Sequence, residues 1–180
     1  MHLQLSGVFF FKSNLLSLRT KIRLYNSIIV PVVTYGAETW AVTQTLEKKL
    51  ESFENNCLKQ ICGPIYDGEL GLWRRRYARE VRAQTNQPLI THTIRAARLR
   101  WAGHVARADD NRFIKQVWQW TPEGRRPRGR PYTRWSDVVN KDLRELGRNP
   151  DEWQELAEDR SLWRSLVVAA KGPLGPAVLD

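Results

Sequence analysis

The chain has 180 residues, 42% of them apolar and eight of them tryptophan, enough to bury a core in one domain or two small ones. Twenty-nine Lys/Arg stand against nineteen Asp/Glu, a net charge of +10 that makes nucleic acid, or an acidic membrane surface, the expected partner. Two cysteines, Cys57 and Cys62, exclude a disulfide framework, lack the spacing of a zinc pair, and make a reducing intracellular compartment (nucleus or cytoplasm) the expectation.

Residues 1–11 read as a severed or disordered N-terminal end; they lack the basic start and small-residue cleavage site of a signal peptide. From about Ser13, Leu15, Leu18, Ile22, Tyr25 and Ile29 recur at steps of three and four, which predicts a helix that Pro31 ends or kinks near Val30. A second helix follows Thr45, with Leu46, Leu50, Phe53, Cys57 and Ile61 as its stripe and Gly63-Pro64 as its stop. Residues 63–88 are a basic connector with a short helix around Tyr77–Thr85. A helix from about Thr91 to Ala106 buries Ile90, Ile94, Ala97, Trp101 and Val105, with arginines along both borders and Gly103 marking close packing or a local break.

Asp109-Asp110 is expected to cap a short helix through Trp120, with Phe113, Val117 and Trp120 facing inward. Prolines and glycines across 122–131 exclude regular structure there. Helices are then expected from Ser136 to Leu146, with Val139, Leu143 and Leu146 inward, and from Pro150 onward, with a break near Asp159-Arg160. Residues 172–180 read as a disordered tail. The fold class is mainly α.

Between Arg95 and Arg134 the chain holds eleven Lys/Arg against three Asp/Glu. Ten of the eleven are arginine, whose planar fork pairs with phosphate and stacks on bases. Residues 135–180 carry six Lys/Arg and nine Asp/Glu, so this segment reads as an acidic end unsuited to the contact surface. Within the basic stretch, Pro127-Arg128-Gly129-Arg130-Pro131 resembles the core of an AT-hook, in which an extended Arg-Gly-Arg enters a narrow minor groove.

Catalytic signals are sparse. Asp109-Asp110 is the one adjacent pair of aspartates, and its place at a helix start favours capping over metal binding. His104 has no evident nucleophile or acid partner, and there is no Gly-rich phosphate loop. No catalytic residue, metal site, cofactor or small-molecule substrate is implied, and no apolar run is long enough to span a membrane.

Several segments together resemble the C-terminal part of non-LTR (LINE-type) retrotransposon reverse transcriptases. They are Leu18 through Tyr25, Tyr35-Gly36-Ala37-Glu38-Thr39-Trp40, Leu46 through Ile61, Arg98 through Val105, Gly124 through Pro131, Arg134-Trp135 and Asp159 through Arg164. The resemblance implies a helical thumb-like bundle at 12–62 and, after the connector, a basic post-thumb helical region at 89–171 that includes the Arg-rich loop 121–134. It implies RNA or an RNA–DNA or DNA duplex as partner. The fingers and palm, with the metal-binding aspartates of the polymerase, have no counterpart in this sequence, so polymerase activity is not carried over.

The reading is therefore a non-catalytic nucleic-acid-binding fragment that grips phosphates through Arg95, Arg98, Arg100, Arg107, Arg125, Arg126, Arg128, Arg130 and Arg134, with Lys21 and Arg23 as thumb contacts. The alternatives are a helical protein-interaction module, docking through the Trp-rich acidic end, and a retrotransposon remnant without function.

Overall fold

A computed structural model describes residues 11, 13, 15–120 and 133–172 and is mainly helical. Helix α1 (Leu18–Leu24) passes through a π turn (Tyr25–Ile29) into α2 (Val30–Val33), and a short 3-10 turn (Ala37–Thr39) precedes the long α3 (Gln44–Cys62). Strands β1 (Ile65–Asp67) and β2 (Leu72–Arg74) form an antiparallel hairpin with Tyr66 opposite Trp73. Helices α4 (Ala78–Thr85), α5 (Ile90–Ala106), α6 (Phe113–Gln119), α7 (Trp135–Glu145), α8 (Trp153–Glu158) and α9 (Arg160–Ala170) complete the described chain. These residues fall into two compact units, one of 11–35 and 48–90, the other of 36–47 with 91–120 and 133–172.

In the first unit Tyr25, Leu58, Ile61 and Val81 form the core, with Leu18, Ile22, Ile29 and Cys57 packed against it. Ser17 caps α1 by accepting from the Thr20 N–H, so the helix starts later than expected and Leu15 lies 94% exposed outside it. Pro31 does not end the helix. The π turn before it lets the Val30 N–H bond Tyr25 five residues back, and Pro31 then falls in the first turn of α2, where its missing N–H costs nothing. Helix α3 buries Leu50, Glu54, Leu58 and Ile61, while Leu46 and Phe53 stay exposed. The apolar stripe is turned because Glu54 has buried partners: Arg82 and the Ile90 N–H both bond its carboxylate.

The hairpin was not anticipated in the connector. Arg74 fastens it to α4, bonding Asp67 at 2.7 Å and Glu80 at 2.7 and 3.0 Å, and its guanidinium lies over the Tyr77 ring.

In the second unit the core joins Ala96, Leu99 and Ala102 of α5 to Val139 and Leu143 of α7, Trp153 and Ala157 of α8, and Trp163, Leu166, Val167 and Ala170 of α9. The buried face of α5 is wider than the expected stripe, and Trp101 and Ala97 sit half-buried at its edge. Trp118 meets Trp135 and Trp153 edge-on, with ring centres 5.1 and 5.8 Å apart. That inward turn of Trp118 reverses the expected face of α6: Phe113, Val117 and Trp120 are 80%, 52% and 67% exposed. The N-cap of α6 is Arg112 with no side-chain cap bond, and Asp109 contributes its backbone carbonyl to the Arg112 N–H at 2.9 Å. Helix α8 starts after Glu152, later than Pro150 suggested, and Asp159 breaks the chain as expected, accepting from the Ser161 and Leu162 N–H groups to start α9.

Gly103 is the tightest point of this unit. A Cβ there would lie 2.1 Å from Nε1 of Trp163, whose N–H donates to the Leu99 carbonyl at 2.9 Å. Gly103→Ala should therefore destabilise the protein by about 1–3 kcal/mol or more, against the small gain expected for Ala in an open helix, as read from urea midpoints.

The Arg74 contacts make a second prediction. Hydrogen bonds from Arg74, then from the Tyr77 N–H, pull the Glu80 carboxyl from its ordinary 4.5 down to about 2. Because the folded value lies below the unfolded one, this stabilisation is complete above about pH 4.5 and is lost as pH falls toward 2. Glu80→Gln should flatten that part of the acid limb in a pH series of urea midpoints.

Candidate functional site

The cations of the second unit divide into those used by the core and those left facing a cleft. Arg98 is only 2% exposed; its Nε donates to Asp142 at 2.7 Å, and an Nη reaches the Trp40 carbonyl at 3.4 Å. Arg95 approaches the same carboxylate at 3.3 Å and also pairs with Glu145. Burial pushes the Asp142 carboxyl up, and the two guanidinium groups oppose that shift. Both arginines thus satisfy a buried acid, and Arg98 has no face left for phosphate.

Arg100 and Arg107 point elsewhere. With His104 they occupy one edge of α5 at steps of four and three, and line a cleft of about 720 Å³. The facing wall is α9, which presents Arg160, Arg164, Val168 and Lys171 at steps of four, four and three, above a floor that includes Trp163 and Val167. Arg112 also lines it, as does Asp109, the one acidic residue of the lining among the described residues. Arg107 is held in place by a 2.6 Å bond from Nη1 to the Ala157 carbonyl. Burial, and after it the charge of Arg160, draws its pKa below the ordinary guanidinium value. Six Arg/Lys side chains converge on one concavity with a single carboxylate among them, an arrangement suited to an oxyanion.

The acidic C-terminal segment was expected to stay clear of any contact surface. It instead contributes half of the cleft's cations. The signal was present in the spacing of Arg160, Arg164 and Lys171 beside the Trp163–Leu166–Val167 stripe, but averaging charge over the segment concealed it.

The other expected contacts lie apart from this cleft. Arg134 is exposed and borders a separate hollow lined by Trp101, Trp118, Trp120 and Trp135. Arg125, Arg126, Arg128 and Arg130, with the AT-hook-like motif, lie outside the described residues. Lys21 and Arg23 belong to the first unit, where Lys21 is 9% exposed and Arg23 is exposed. His104 stacks on Trp101 with ring centres 5.2 Å apart. Among the described residues no group of three or more His, Cys, Asp or Glu is placed to hold a metal ion, and no helix is long and apolar enough to cross a membrane.

Comparison with known proteins adds one relationship. The chain is similar to an uncharacterized transposon-derived protein of Caenorhabditis elegans, 26% identical over 153 residues. The match takes in 83% of this chain and 54% of the relative, so the chain spans about half the length of the curated relative it matches. No family model and no solved structure matches. The relationship is one of transposon-derived sequence.

The crowding of Arg107 and Arg160 has a measurable consequence. Arg160→Gln removes a repulsion without touching the core, so at low salt the variant should be as stable as the parent or more so, within about 0.5 kcal/mol. The dependence of its Tm on sodium chloride should be shallower; a marked loss of stability would show that Arg160 is needed to hold the helices together.

Proposed function

We propose that this transposon-derived chain binds nucleic acid through the α5–α9 cleft, as a non-catalytic piece resembling the C-terminal region of a LINE-type reverse transcriptase. The observation that carries the reading is the convergence of Arg100, Arg107, Arg112, Arg160, Arg164 and Lys171 on one concave surface. Arginines that pair internally, such as Arg95 and Arg98, have an evident structural use; among the described residues those of the cleft have no carboxylate beside them but Asp109. Phosphate oxygens supply the missing negative charge, and each phosphate engaged releases counterions. Arg125, Arg126, Arg128 and Arg130 continue the same chemistry along the sequence, as far as Arg134.

The test is fluorescence anisotropy with labelled RNA and DNA across a salt series. The parent chain should lose affinity linearly in log salt, by roughly 0.7–0.9 per phosphate contacted. Changing Arg100, Arg112, Arg160 and Arg164 to Gln should weaken binding about 10-fold or more and reduce that slope, with circular dichroism unchanged. Equal affinity in parent and variant would remove the cleft from the function.

A second reading has its own support. The relationship to a transposon-derived protein is what supports the alternative of a retrotransposon remnant. Absence of polyanion binding by the folded chain would decide for the remnant.

A further inference from the structure

The first unit holds a second basic hollow, built from different elements and independent of the α5–α9 cleft. It has a volume of about 480 Å³ and is bordered by Lys21 of α1, Lys59 and Cys62 of α3, Trp73 of β2, and Arg75 and Arg76 just beyond it. Among the described residues no acidic side chain lines it. Lys21 is 9% exposed and lines the hollow along its stem. Nε of Arg76 is buried and, among the described residues, without a hydrogen-bond partner. Burial raises the pKa of the Cys62 thiol between them, and the charges of Arg76 and Lys21 oppose that rise.

A buried guanidinium N–H left unbonded is costly. Elsewhere in this unit buried charge is matched: Glu54 meets Arg82, and Arg74 meets Asp67 and Glu80. Nε of Arg76 is therefore a local exception, in a hollow lined by the four cations Lys21, Lys59, Arg75 and Arg76 and large enough for a small ligand. Trp73, 68% exposed, adds a flat apolar wall at the same rim.

We propose that this hollow binds the phosphate group of a nucleotide, with Lys21 and Arg76 as its buried ligands, Lys59 and Arg75 at the mouth, and the base against Trp73. A phosphate supplies acceptors for the Lys21 ammonium and for Nε of Arg76 together, and an aromatic base is the complement of an exposed indole face. The group is carried either by a free nucleotide or by the end of a strand.

The full chain in a Cys57→Ser background is titrated with adenosine 5′-monophosphate, inorganic phosphate and adenosine at constant ionic strength. Binding is read as a rise in Tm and as slower alkylation of Cys62. The monophosphate should give the largest rise, phosphate a smaller one and adenosine none. Lys21→Met should weaken the response at least 10-fold while leaving the circular dichroism of the unliganded chain unchanged, since it keeps the apolar stem and removes only the ammonium. Trp73→Ala should reduce the response to the monophosphate to that of inorganic phosphate. If Lys21→Met does not fold, Arg76→Gln, whose side chain is only part-buried, serves the same purpose.

A 5′-phosphorylated oligonucleotide run beside its unphosphorylated twin separates a strand end from a free nucleotide as the source. Responses that survive both Lys21→Met and Arg76→Gln, or that chloride reproduces, overturn the proposal, as does a response to adenosine equal to that of the monophosphate. Variants in the α5–α9 cleft should leave all of these readings unchanged, so the two sites succeed or fail separately.

Discussion

The close approach of Trp163 to Gly103 governs the second unit. Any side chain at Gly103 would occupy the place of the indole, and the indole N–H would lose the Leu99 carbonyl. Because the contact fixes α9 against α5 at that level, residues one, three and four positions away are brought face to face. Arg100, His104 and Arg107 then form one wall, and Arg160 and Arg164 the other. A cleft full of like charges has no attraction of its own to hold it together; the apolar packing beneath it supplies the closure.

That division between packing and charge explains which arginines remain available. Asp142 is buried in the same unit and takes Arg98 and Arg95. A buried carboxylate without them would carry an uncompensated charge at a cost of several kcal/mol, so these two arginines are structural. Arg107 is intermediate, since one Nη serves the Ala157 carbonyl while the side chain still lines the cleft. The same accounting in the first unit ties Arg82 to Glu54 and, among the described residues, leaves Nε of Arg76 without a bond. Availability of a cation is thus set by where the acids are buried, which local charge density does not reveal.

The sequence carried the helical pattern well where one apolar face alternated with a polar one. The helix ends at Gly63, Thr85, Ala106 and Gly147, and the break at Asp159, follow from chain chemistry that acts within a turn. It misled where a polar residue had a distant partner. Glu54 turned the face of α3 because Arg82 and Ile90 come to it from 28 and 36 residues away. Trp118 turned α6 because Trp135 and Trp153, on later helices, offered ring edges. The hairpin escaped notice because its three-residue strands are too short to show alternation, and Arg74 holds it only through acids on both sides.

By itself the sequence determined a helical class, a strong excess of arginine, and a pattern of segments whose transposon-related character the comparison supports. These properties are sums or short-range periodicities, so neighbours along the chain suffice to specify them. The tertiary structure alone decided which cations were consumed by buried acids and which were gathered into a cleft. That choice depends on pairing over distances such as the 44 residues between Arg98 and Asp142, and on a glycine meeting an indole sixty residues on.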